Sequence, residues 1–209
     1  MSGLFISFEG VEGAGKSTQI KLLHESLLAK NISPVLTREP GGTAGAEAIR
    51  KLLVTGRTDS WSALSECLLM NAARRDHVER VIIPALEAGK VVICDRFSDS
   101  TRAYQGYAGE VPLDQLRHIE QAVVGDHLPD LTLILDLPVK DGLARALLRG
   151  GADRFEKKGQ AYHEKVRNGF LAIAKAEPDR CVVINAANTV QHIHDKIIAV
   201  VTPRLPAHA

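Results

Sequence analysis

Leu4-Phe5-Ile6-Ser7-Phe8-Glu9-Gly10-Val11-Glu12-Gly13-Ala14-Gly15-Lys16-Ser17-Thr18 is the stretch that decides the fold. The apolar run Leu4 to Phe8 is short and rich in β-formers, which predicts a buried strand. Gly10 to Ser17 then fits G-x-x-x-x-G-K-[ST], a phosphate-binding loop. From Gln19 to Leu28 the apolar residues recur at helical spacing, so a strand precedes the loop and a helix follows it. Glycines let backbone N–H groups approach an anion without a Cβ in the way. The positive end of the helix begins where that anion sits. Gly10, Val11, Glu12, Gly13, Ala14, Gly15, Lys16, Ser17 and Thr18 are therefore the candidate nucleotide-binding residues. Lys16 reaches for the β- and γ-phosphates, and the Ser17 hydroxyl is a candidate Mg²⁺ ligand. A tight strand-to-helix turn with a chance match is the bland alternative, and the strand and helix around it speak against that.

Working outward, strand and helix patterns alternate to the end of the chain. Strands are predicted at 35–37, 91–94, 131–135 and 181–184, the one at 91–94 buried on both faces because it shows no alternation. Helices are predicted at 44–53 with Thr43 as cap, at 63–88 with a bend near Pro84, and at 113–124, 139–148, 157–176 and 190–201. The stretch 98–109 is polar, with small residues and two tyrosines. Arg149-Gly150-Gly151-Ala152-Asp153-Arg154 breaks the pattern and suggests a mobile loop. Alternation of this kind predicts an α/β fold, a five-stranded parallel sheet with helices on both faces. No repeat or linker divides residues 1–209, so one domain is expected.

Composition narrows the function less than the loop does. The chain has 209 residues, is 45% hydrophobic and 24% charged, and carries a formal net charge of +1. Nothing in that balance argues for nucleic acid or an anionic membrane surface. Cys67, Cys94 and Cys181 are odd in number and widely spaced, and the last two sit in apolar runs, which suits a reducing compartment. His192 and His194 fall on different sides of a predicted helix and make no metal pair. No apolar run approaches a transmembrane length and no signal peptide is evident, so a cytoplasmic location is expected.

The phosphate loop alone does not choose among kinases, GTPases and ATPases. An N-K-x-D base-reading sequence is absent. The third strand ends in Asp95-Arg96 rather than Asp-Glu, which favours binding a second anion over activating a water. Arg38, Arg96, Arg149 and Arg154 lie in predicted loops at the carboxyl ends of strands, where open α/β sheets bind ligands. Phosphoryl transfer between two anions needs such charge. Each arginine alone is more often a solvated surface group.

Further segments carry a resemblance. They are Thr37-Arg38-Glu39-Pro40-Gly41-Gly42-Thr43, Asp95-Arg96-Phe97 with Ser100-Thr101 and Ala103-Tyr104-Gln105-Gly106, Pro129-Asp130-Leu131-Thr132, Asp153-Arg154-Phe155-Glu156, and the stretch from His163 to Val166. With the loop, they resemble the bacterial thymidylate kinases over nearly the whole chain. The resemblance implies transfer of the ATP γ-phosphate to dTMP with Mg²⁺, usually in a homodimer. It implies Arg96, Arg38 and Arg50 near the acceptor phosphate, with Pro40 and Ser100 in the same substrate site. Arg74 would meet the thymine carbonyl, Thr101 and Gln105 the base, Tyr104 the sugar and Glu12 the 3′-hydroxyl. The phosphate loop lacks an arginine, so Arg149 and Arg154, in a lid of about residues 149–157, inherit the mobile catalytic charge beside Lys16 and Arg96. Asp95 is open between holding Mg²⁺ through water, capping a helix and orienting Arg96. Met70 stands where the family usually has phenylalanine, so thymine meets a thioether, unless Met70 is simply core. A kinase for another monophosphate such as dUMP, or a regulatory ATPase, would share much of this pattern.

Overall fold

Strand β1 (Leu4–Gly10) is buried along its whole length at the centre of a five-stranded sheet. The other strands are β2 (Val35–Arg38), β3 (Val91–Asp95), β4 (Leu131–Asp136) and β5 (Cys181–Asn185), and the order is β2-β3-β1-β4-β5 with every neighbour parallel. The computed structural model describes residues 3–55, 57, 59–148, 155 and 158–206. Parallel neighbours require crossovers, and helices serve as those crossovers. They are α1 (Lys16–Leu28), α2 (Ala44–Val54), α3 (Ala63–His77), α4 (Ile83–Glu87), α5 (Ser98–Thr101), α6 (Leu113–Val124), α7 (Val139–Leu148), α8 (Gln160–Ala176) and α9 (Val190–Val201).

The period of two in β1 assigns its side chains to opposite layers. Ile6 and Phe8 join Leu23 and Leu27 of α1 and Ile193 and Ile197 of α9 on one face. Phe5 points the other way, to Val78, Ile82 and Phe97, and its ring meets that of Phe97 edge-on at 4.9 Å. Fully burying each such side chain stabilises the fold by roughly 1.5–3 kcal/mol. The chain leaves β1 for one edge of the sheet and leaves β4 for the other. The crevice at the carboxyl ends of these strands is therefore where a ligand belongs.

The structure departs from the sequence reading at several places. The helix expected over 63–88 is α3 and α4 joined by a π-helical segment, Val78–Ile82, because Pro84 near the start of α4 has no N–H to continue the ladder. The polar stretch after β3 is helical: α5 continues into a π-helical segment, Arg102–Tyr107. Ser98, Asp99, Thr101 and Gln105 are buried but polar, and the buried Ala103 and Tyr104 beside them are too few to mark an apolar stripe. Helix α8 begins at Gln160 after Gly159, and Lys157 lies outside the described residues. Arg38 closes β2 rather than standing in a loop, and α1 starts at Lys16, before Gln19. Thr43 caps α2 as its sequence suggests, its hydroxyl accepting from the Ala46 N–H at 3.0 Å.

Candidate active site

The phosphate loop crosses from β1 to α1, and its glycines are constrained in two different ways. At Gly13 φ is 70°, and a Cβ would fall 2.1 Å from the carbonyl oxygen of Gly142 on α7. At Gly15 φ is 93°, yet a Cβ would meet nothing within 4 Å. Gly13 is thus needed for close packing, while Gly15 borders the open space that an anion would fill. Lys16 folds back over this loop, its Nζ donating to Gly10 O at 3.1 Å and Val11 O at 3.2 Å. Burial, then the nearby Arg96, depresses the Lys16 ammonium.

Ser17 Oγ, in the first turn of α1, donates to Asp95 Oδ2 at 3.2 Å. Hydroxyl and carboxylate oxygens therefore meet beside the loop, a hard-oxygen pair of the kind Mg²⁺ takes together with phosphate and water. Helix α5 has no side-chain cap, so Asp95 does not serve as one. Among the described residues no group of three His, Cys, Asp or Glu side chains could hold a metal on its own.

Arg96 follows β3 with φ at 68°, a left-handed conformation that costs a side-chain-bearing residue energy. The strain turns its guanidinium into the crevice. There NH1 donates to Gly10 O and Ser100 Oγ, both at 3.1 Å, and NH2 to Glu12 Oε1 at 2.6 Å and the Tyr104 hydroxyl at 3.1 Å. Burial alone would raise the Glu12 carboxyl, but Arg96, Lys16 and the Tyr104 hydroxyl outweigh it and hold the group at about 2. Beneath Arg96 lies Glu9, fully buried, accepting from the Phe97 N–H at 2.7 Å and from Ser100 Oγ at 2.6 Å. Burial, with Asp99 adding to it, pushes the Glu9 carboxyl up to about 7 against the pull of Arg96.

A cleft opens from Arg96 toward α3. Every substrate-side candidate lines it: Glu12, Arg38, Pro40, Arg50, Met70, Arg74, Arg96, Ser100, Thr101, Tyr104 and Gln105. Arg38 is half exposed and paired with Glu47 at 3.0 Å, while Arg50 donates to Pro40 O at 2.7 Å. Arg74 is buried with three nitrogens engaged: Nε to Glu39 at 2.7 Å, NH1 to Asn71 at 3.2 Å and NH2 to Thr101 at 3.1 Å. Met70 is half-buried, facing the cleft and packing against the cluster that holds Tyr104, Phe155 and Phe170. Arg149 and Arg154 lie outside the described residues.

Several residues that sequence reasoning gave no role hold this cleft in shape. Glu39 uses its second oxygen to accept from or pair with His77 Nδ1 at 2.9 Å, and His77 Nε2 meets the Thr37 hydroxyl at 2.6 Å. Glu66 accepts from Gln105 at 2.7 Å. Phe97 and Phe155 add aromatic rings to the lining. Glu9 and Glu39 lay inside segments that carry the resemblance, whereas Glu66 and His77 lay in a helix with no signal to separate them from its solvated charges.

A family model described as thymidylate kinase matches residues 8–197. A thymidylate kinase of Caulobacter vibrioides is 58% identical over 203 residues, covering 97% of this chain and 98% of that protein. One of Nitrobacter hamburgensis is 52% identical over 189 residues, covering 89% and 82%. The crystal structure of thymidylate kinase from Ehrlichia chaffeensis superposes with a TM-score of 0.77 at 37% identity, covering 96% of this chain and 99% of the other. The chain belongs to the thymidylate kinase family.

Proposed function

We propose that the cleft between the phosphate loop and α3 receives dTMP and that the loop presents the γ-phosphate of ATP to it. Membership of the family makes the reaction ATP-dependent phosphorylation of dTMP to dTDP. The observation that carries the site assignment is the position of Arg96. Its guanidinium touches the phosphate loop through Gly10 and Glu12 and the cleft wall through Ser100 and Tyr104. A cation in that place faces both phosphates.

Phosphoryl transfer asks the protein chiefly for positioning and for charge along the transferring group. Lys16 and Arg96 supply that charge, and without ligand each rests on internal acceptors, the loop carbonyls and Glu12. Phosphate oxygens replace the loop carbonyls, while Glu12 keeps Arg96 in place. Arg38 and Arg50 hold the acceptor phosphate, with Pro40 and Ser100 alongside. Arg74 donates to a thymine carbonyl from its remaining N–H groups, Thr101 and Gln105 meet the base edge, and Met70 lies against the ring. Tyr104 packs beneath the sugar, where a 2′-hydroxyl has no room, and Glu12 accepts from the 3′-hydroxyl. Arg149 and Arg154 belong to a lid over residues 149–157 that closes on the transferring group. Ser17 and Asp95 are the residues that hold Mg²⁺, which when bound neutralises charge on the nucleotide phosphates.

The whole chain works as one catalytic domain in the cytoplasm, and two copies form a homodimer. Leu52 on α2 and Leu64 and Leu68 on α3 are exposed, on two helices that pack against each other, and support the pairing. No helix among the described residues is long and apolar enough to cross a membrane. A coupled ADP-release assay with dTMP, dUMP, dCMP, dGMP and AMP tests the acceptor. Turnover with dTMP should exceed that with the others, and equal turnover with all five would remove the base-reading assignment.

A further inference from the structure

Gln105 and Glu66 form a buried pair that bears on base selection. Glu66 lies on α3 and Gln105 on the π-helical segment after α5; they are 4% and 2% exposed. Gln105 Nε2 donates to Glu66 Oε1 at 2.7 Å. A carboxamide has a donor end and an acceptor end, and a carboxylate only accepts. The nitrogen must therefore face Glu66, since a carbonyl oxygen at that distance from a carboxylate oxygen would be repelled. The carbonyl Oε1 is then the end turned from Glu66. Gln105 lines the cleft beside Arg74 and Thr101.

We propose that Glu66 is a positioning residue that locks the Gln105 amide with its carbonyl toward the base, so that the cleft selects bases carrying a hydrogen at N3. The inference rests on the reading that the base sits against Arg74 and Gln105. Arg74 presents donors and Gln105 an acceptor, which complements the O4 and N3–H of thymine or uracil. Cytosine offers the reverse pattern, an amino donor at C4 and an acceptor at N3. A free amide would turn over to suit either edge. Held by Glu66, it leaves cytosine facing an unpaired oxygen, and an unpaired buried polar group is what makes such discrimination large. The pair is blind to the 5-methyl group, so it does nothing to separate dTMP from dUMP.

Glu66→Gln tests this, because a carboxamide in that place either accepts or donates and frees Gln105 to turn over. The ratio of kcat/KM for dTMP over dCMP should fall at least about ten-fold, with the change in KM for both nucleotides and little change in kcat at saturating dTMP. A folded Glu66→Gln protein with the parental ratio overturns the proposal, because a merely structural role would affect both nucleotides alike. Should that variant be insoluble, Glu66→Met fills similar volume without an acceptor and carries the same expectation. On the unmodified protein, dTMP methylated at N3 should be refused, and its ready phosphorylation would equally sink the idea. Gln105→Ala separates the two layers of inference. If it leaves the dTMP KM unchanged, the placement of the base is wrong. If it raises that KM while Glu66→Gln leaves the ratio alone, only the role of Glu66 falls.

Discussion

Arg96 and Glu12 meet at 2.6 Å at the junction of the phosphate loop and the cleft, the carboxylate in the loop and the guanidinium just beyond β3. Both are largely buried, at 18% and 16% side-chain exposure, so the pair is shielded from solvent screening. The Tyr104 hydroxyl donates to the same Oε1 at 2.8 Å, which binds the sugar wall to the pair. One carboxylate thus holds the Arg96 guanidinium and the Tyr104 ring together at this junction.

Glu12→Gln keeps the shape and removes the charge. Hydrogen bonds to charged groups contribute about 1.5–3 kcal/mol, which corresponds to roughly ten-fold or more in kcat/KM. Steady-state kinetics should show a loss of that size for dTMP, with the protein still folded. Parental kcat/KM in a folded Glu12→Gln would mean that Arg96 needs no such partner.

Arg149 and Arg154 act, on this account, mainly in the transition state. Replacing either by Ala should lower kcat with little change in the dTMP KM. Lysine should rescue poorly, because an ammonium does not reproduce a bidentate fork. A rise in KM with kcat intact would reassign both residues to binding.

Glu9 makes a pH prediction whose sign follows from its raised carboxyl. Between the ordinary value of 4.5 and about 7 the folded protein keeps a proton that the unfolded chain has released. Stability therefore falls as pH rises through that window and levels off above it. Glu9→Gln has no proton to lose, so its stability relative to the parent should improve over the same window, by at most about 3 kcal/mol. Denaturant unfolding of both proteins at about pH 5 and about pH 8 measures the difference. A difference that does not change with pH would show that Glu9 ionises normally in the folded state.

Met70 tests how the base is packed. Stacking on an aromatic ring contributes about 1–3 kcal/mol, and sulfur against a ring about 0.3–1.5 kcal/mol. The shortfall is on the order of 1 kcal/mol, or about five-fold in affinity. Met70→Phe should therefore lower the dTMP KM several-fold and leave kcat nearly unchanged. Lost stability with an unchanged KM would place the side chain's role in the neighbouring cluster of Tyr104, Phe155 and Phe170.

The sheet and most helices were legible in the sequence because their burial is apolar and periodic. Helices α6, α7 and α9 span the residues their patterns predict, since each turns one apolar face to the protein interior. The helical turns from Ser98 to Tyr107 were not legible, because most of the residues they bury, Ser98, Asp99, Thr101 and Gln105, are polar and form no hydrophobic stripe. The same cause hid the scaffold of the site. Glu39 contacts residues 35 and 38 positions away, Arg74 and His77, and all three are buried. In sequence Glu39 and His77 carried no role of their own, Arg74 was picked out only by the resemblance, and only the fold brings the three together.

The central claim is that one cleft delivers dTMP to the γ-phosphate held by the loop. The most direct measurement follows ATP labelled in its γ-phosphate through single turnovers with and without dTMP. The account predicts label in dTDP, dependent on dTMP and reduced at least about 10²-fold by Lys16→Ala, the loss expected for a preorganised charge at the transferring group. Label released as inorganic phosphate at a rate indifferent to dTMP would contradict it, because the cleft would then have no part in the chemistry.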